Sequence, residues 1–132
     1  MQPIPSVVAI LLCDRIITEA ETFKKTLVGV FKGVSAPQTP VSLQMAFYAQ
    51  MTDAEGGYSF RIDVVRLETN QLIAQGKTSE LNVPDRLSTV DLVINLPQVQ
   101  FPGFGKYEFQ LFANEIYVAH ISLNVKQLER SQ

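Results

Sequence analysis

From Phe101 to Val125 the chain reads FPGFGKYEFQLFANEIYVAHISLNV, and its polar residues recur at every second position rather than every third or fourth. Side chains alternate between the two faces of a strand with a period of two, whereas an amphipathic helix needs apolar positions three and four apart. The spacing therefore predicts two β-strands. Tyr107, Phe109 and Leu111 fall on one face of the first strand, with Glu108 and Gln110 on the other. In the second, Tyr117, Ala119, Ile121, Leu123 and Val125 share a face, opposed by His120, Ser122 and Asn124. Asn114-Glu115 reads as the tight turn between them, entered through a Gly/Pro-rich corner. A hairpin with one apolar face is marginal alone in water, so the upstream chain is expected to pack against it.

The same alternation recurs upstream. Val7 to Cys13 is a short apolar run followed by charge, the pattern of a strand buried on both faces or nearly so. Residues 14–25 mix helix-spaced Ile16, Ala20, Phe23 and Leu27 with Thr18, Thr22 and Thr26, and are read as a strand end and a loop. Residues 26–34 form a glycine-interrupted strand, and Pro37 and Pro40 mark a loop. Leu43, Met45, Phe47, Ala49 and Met51 alternate with polar neighbours, and so do Tyr58, Phe60, Ile62 and Val64 after the turn at residues 53–57. Residues 42–68 are thus expected to form one long hairpin. A weaker strand spans 72–81, and a connection runs through Pro84. Val90, Leu92, Ile94 and Leu96 make a further strand closed by Pro97, and a loop spans 98–105. The expected fold is all-β: a single antiparallel sandwich of about eight strands, one domain over residues 1–132.

A chain of 132 residues buries about two-thirds of the surface its unfolded form exposes, so it needs no staple to fold. The net charge of −2, with Lys and Arg scattered singly or in pairs, argues against nucleic acid and anionic membrane surfaces as partners. Cys13 is the sole cysteine, which rules out an internal disulfide and a cysteine metal cluster and makes a reducing, cytoplasmic setting the expectation. The opening apolar run ends at a Cys as a lipoprotein signal does. However, no Lys or Arg precedes it, and Leu12 is too large for a signal cleavage site.

The late segment Gly105-Lys106-Tyr107-Glu108-Phe109 is similar to the tyrosine corner of immunoglobulin-like sandwiches, where a Tyr hydroxyl bonds back to upstream backbone. Phe109 stands where an antibody domain places its second disulfide Cys. With the opening strand ending Cys13-Asp14, the segment Thr22-Phe23-Lys24-Lys25 leading to Leu27-Val28-Gly29-Val30-Phe31, and this late strand in view, the chain resembles a family of short bacterial proteins catalogued only as a domain of unknown function. The family's Thr-Gly-Lys reads Thr22-Phe23-Lys24 here. The resemblance implies an immunoglobulin-like sandwich and no established activity, so it transfers no catalytic residue.

The chemistry of the side chains points away from catalysis. His120 is the only histidine, which excludes a two-histidine metal site and leaves one imidazole, beside Ser122 without nucleophile-elbow glycines. Asp53 with Glu55, and Glu19 with Glu21, are pairs too small for a calcium site of six to eight oxygens. Gly56-Gly57 and Gly103-x-Gly105 lack the lysine and helix of a phosphate loop. Cys13, between Leu12 and Asp14, reads as a core thiol. No cofactor is implied.

What remains are aromatics that alternation pushes away from the core: Tyr48 on the polar side of its strand, Phe112 out of step, and Phe101 and Phe104 in the Pro/Gly loop. These are the candidate interaction residues, unless the loop aromatics plug one end of the sandwich. Val65 and Val93 on nominally outer positions suggest that part of one sheet is covered. The reading is a non-catalytic interaction or structural module that pairs with itself or another protein through a sheet face or edge. The alternative is a small-ligand or carbohydrate-binding domain using the same aromatics for stacking.

Overall fold

The computed structural model describes residues 2–128, which form eleven strands and, among the described residues, no helix. The late hairpin is present: β10 (Gly105–Ala113) and β11 (Ile116–Gln127) are joined by Asn114 and Glu115, with φ of 48° and 68°. Two consecutive left-handed residues are what a two-residue hairpin turn requires, and Asn tolerates that region better than most side chains. The turn is also tied down, because Ser59 N–H donates to Asn114 Oδ1 at 2.9 Å and Asn114 N–H donates to Ser59 O at 2.9 Å.

β6 (Phe60–Arg66) pairs with the far side of β10, β7 (Gln71–Lys77) pairs with β6, and β3 (Gly33–Ala36) runs parallel to β11. The order of this sheet is β3-β11-β10-β6-β7. A second sheet holds β2 (Lys25–Phe31), β1 (Ser6–Thr18), β4 (Val41–Thr52) and β9 (Val90–Phe101) in the order β2-β1-β4-β9, and β5 (Gly56–Tyr58) pairs with β8 (Leu81–Val83) apart from both. Inward side chains of the two large sheets meet in one core: Phe47, Leu92 and Ile94 from the four-stranded sheet, Ile62, Phe109 and Leu123 from the five-stranded one.

Several expectations are corrected. The count is eleven strands rather than about eight, because β3, β5 and β8 are only three or four residues long and carry too little alternation to be recognised. Residues 42–68 are not a hairpin: β4 pairs with β1 and β9, while β6 pairs with β10 and β7. Both strands are apolar on one face, so they satisfy the core from opposite sheets, and Asp53 (φ 57°), Gly56 (φ 102°) and β5 carry the chain across. Pro97 does not end its strand either. Pro97 and Gln98 together oppose Gln44 alone, a bulge where no ladder donor is required of the proline, and β9 continues to Phe101.

Residues 26–34 are not one strand either: β2 ends at Phe31 in the four-stranded sheet and β3 begins at Gly33 in the five-stranded one, where it runs parallel to β11, so the sandwich is not wholly antiparallel. Other stretches differ only in detail. Residues 14–25 are strand to Thr18, then turn, then strand from Lys25. In the opening strand Leu12 and Cys13 are buried, but Val8 is 61% exposed.

The corner before β10 is closed by Tyr107, which is fully buried. Its hydroxyl donates to Gly103 O at 2.7 Å and accepts from Gly103 N–H at 3.2 Å, and its ring meets Phe101 edge-on at 4.8 Å. Tyr107→Phe keeps the packing and leaves two backbone groups of Gly103 without this partner, so equilibrium denaturation should show a loss of about 1 kcal/mol. Unchanged stability would show that the hydroxyl does not hold the corner.

Candidate functional site

On β10, Lys106, Glu108, Gln110 and Phe112 point away from the core, and pairing sets what flanks them. Glu108 lies between Val65 and Ser122, Gln110 between Asp63 and His120, and Phe112 between Arg61 and Tyr117. Three adjacent strands therefore present one patch of aromatic and charged side chains. Tyr117 belongs to it because of a bulge: Leu111 pairs with Ala119 but Phe112 pairs with Tyr117, so Val118 is the extra residue. A one-residue insertion reverses which side chains face the core. Tyr117, expected on the core face, is 49% exposed.

The patch is connected throughout. The Arg61 guanidinium lies 4.3 Å from the centroid of Phe112, and Phe112 meets Tyr117 edge-on at 6.0 Å. Tyr117 Oη and His120 Nδ1 share a hydrogen bond of 2.6 Å, and His120 Nε2 lies 3.9 Å from Glu108 Oε2. Gln110 Nε2 donates to Glu108 Oε1 at 3.0 Å. Arg61 Nε donates to Asp63 Oδ1 at 2.9 Å, where Gln75 Nε2 also donates at 2.9 Å, and Arg61 additionally pairs with Glu115. The hydrogen bond to Glu115, more than the opposing burial, holds the guanidinium above its ordinary pKa. These side chains are thus oriented before any partner arrives, which lowers the entropy lost on binding.

The four aromatics singled out from sequence do not come together. Phe112 is part of the patch. Phe101 is 0% exposed and packs inward against Tyr107, so it offers no surface to a partner. Phe104 is half-buried against the core. Tyr48 is 9% exposed and lies on the four-stranded sheet, its hydroxyl donating to Asp91 Oδ1 at 2.9 Å. Burial, and then that carboxylate, push the Tyr48 phenol above its ordinary pKa. Tyr117, Arg61 and Phe23 carry no functional signal in the alternation; Phe23, with φ 58°, is 70% exposed at the tip of the β1–β2 hairpin.

Other chemistry is spread thinly. Among the described residues no hydrogen bond joins Ser122 to His120, and no three His, Cys, Asp or Glu side chains converge as metal ligands would. A groove of mixed polarity, about 440 Å³, is lined in part by Lys25, Lys77, Thr78, Asp91, Leu92 and Ile94. Cys13 is fully buried, and burial, with the nearby Asp14 charge, raises its thiol pKa against a weaker lowering by a hydrogen bond to Arg15 O. An aromatic disulfide reagent should therefore label native Cys13 only as fast as the protein opens. Immediate stoichiometric labelling would contradict its burial.

The model of a family of unknown function (DUF6941) matches residues 8–126. No curated protein matches the chain.

Proposed function

We propose, for a chain that belongs to the DUF6941 family, a non-catalytic role: an immunoglobulin-like β-sandwich that binds another protein, or a second copy of itself, through the outer face of its five-stranded sheet. The observation that carries this reading is the connected patch Arg61–Phe112–Tyr117–His120–Glu108 on β6, β10 and β11. Tyr and Arg are the side chains that most often dominate binding energy at protein interfaces, because they combine large contact area with directed polar groups. Here both types are held by neighbours, with Tyr117 half-exposed and the Arg61 side chain largely covered.

The sandwich assignment has its own support. Two sheets share one core, and Tyr107 bonds to Gly103 at the corner preceding β10 as a tyrosine corner does. With Phe109 in the position of an antibody domain's second Cys, core packing replaces the disulfide. The single cysteine and the low net charge support a cytoplasmic setting and a protein, rather than a nucleic acid or membrane, as partner. A small-ligand reading is favoured by one observation, the groove of mixed polarity that holds Lys25 and Lys77.

The test replaces Tyr117 with the photo-crosslinker p-benzoylphenylalanine in the native cell, and does the same at Val8, which is 61% exposed on the other sheet. Residue 117 should yield a single adduct of discrete mass and residue 8 none. Tyr117→Ala should then weaken the captured complex by roughly 30-fold, about 2 kcal/mol, without lowering the melting temperature. Equal adducts at both positions, or none at 117, would contradict the assignment of the face.

A further inference from the structure

Away from that face, where β2 passes into β3, lies a groove of about 360 Å³ whose apolar walls are Val30, Phe31, Val34 and Leu43. Asp14 and Gln44 supply its polar side chains. Asp14 sits on β1 between Cys13, paired with Val30, and Arg15, paired with Val28, so it faces Gly29 across the ladder. Gly29 has φ of 69°, and a Cβ there would overlap the Asp14 carboxylate. The glycine thus leaves the space in which the carboxylate lies against the strand at the groove wall.

That carboxylate forms no ion pair and no side-chain hydrogen bond among the described residues. Its nearest cations in sequence do not neutralise it: Arg15 follows it on the strand and so faces the other way, and Lys32, between the lining residues Phe31 and Gly33, makes no ion pair. An apolar trough with one unpaired negative charge is complementary to an apolar stem with one positive end. A single carboxylate is too few ligands for a calcium ion, and an anionic ligand would be repelled. The volume lies at the small end of ligand pockets, about 300 Å³ upward, which suits a short chain rather than a fused-ring lipid.

We propose that this groove binds a small primary alkylammonium ion, its chain along Val30, Phe31, Val34 and Leu43 and its ammonium at Asp14, with the Gln44 amide oxygen as a second acceptor. The site is separate from the sheet face and stands or falls without it. The three N–H donors of the ammonium match acceptors at the rim, while a neutral alcohol of the same length gains only the apolar contact.

The experiment is a two-dimensional amide NMR titration of the full chain with n-hexylammonium chloride, n-hexanol, sodium hexanoate and Nα-acetyl-lysine methylamide, on the native protein and on Asp14→Asn. Hexylammonium should shift the amides of Val30, Phe31, Val34 and Leu43 saturably. It should bind about five-fold tighter than hexanol, the scale of one ion pair about 4 Å apart in water. Hexanoate should be weaker than hexanol, and the lysine derivative, whose shorter alkyl stem ends in a polar backbone, weaker than hexylammonium. Asp14→Asn removes only the charge of an exposed side chain that has no partner, so it should remain folded and bind hexylammonium and hexanol alike. Absence of saturable shifts, equal binding of hexanol to the native protein, or an unchanged preference in Asp14→Asn would overturn the proposal. A lysine derivative that binds as tightly as hexylammonium would also overturn it, assigning the groove to a protein side chain instead.

Discussion

The two large sheets must fill one core between them, and every other feature of the molecule answers to that constraint. Phe47, Leu92 and Ile94 on one side and Ile62, Phe109 and Leu123 on the other fill the interior, and the buried residues include no charged member. A layer packed to this density cannot slide by one residue, because a slip would turn a whole strand's apolar set to solvent. Tyr107 fixes the corner and Asn114 fixes the turn, so β10 enters and leaves the core at set positions. What faces outward from β10 is therefore as determined as what faces inward.

The candidate binding face follows from the places where alternation is broken. Four ladders carry a register shift: at Val8, at Ile73, at Pro97 with Gln98, and at Val118. The shift at Val118 matters most, because it moves Tyr117 out of the core series and beside Phe112 and His120. The side chains so gathered already hold one another through hydrogen bonds and a cation–π contact. A partner would meet a surface whose shape is set, and would displace water from it without first ordering long flexible side chains.

The alternating stretches of sequence were enough to identify the all-β class, the final hairpin and its turn, and the inward Tyr107, Phe109 and Leu111. Pairing was less legible. Residues 42–52 and 58–66 alternate equally well as partners in one hairpin or as members of opposite sheets, and only the full set of strands decides. Tyr117 could not be placed because Ile116, Tyr117, Val118 and Ala119 are four apolar residues in a row, a run that satisfies either parity. The inward Phe101 is legible in Gln98, Val99, Gln100 and Phe101, which alternate, but Pro97 has the signature of a terminator while it occupies a bulge. The groove at Asp14 had no local signal, since its walls come from segments up to thirty residues apart.

The claim that bulges, and not simple alternation, decide which aromatics meet solvent can be tested in one measurement. Hydroxyl-radical footprinting of the dilute protein, read by mass spectrometry, reports side-chain accessibility residue by residue. The account predicts rapid oxidation of Phe23 and Tyr117 and strong protection of Phe101 and Tyr107, with Tyr48 close to the protected pair. Protection of Tyr117 together with oxidation of Phe101 would mean that the register at Val118 and the bulge at Pro97 are wrong, and the proposed face would fall with them.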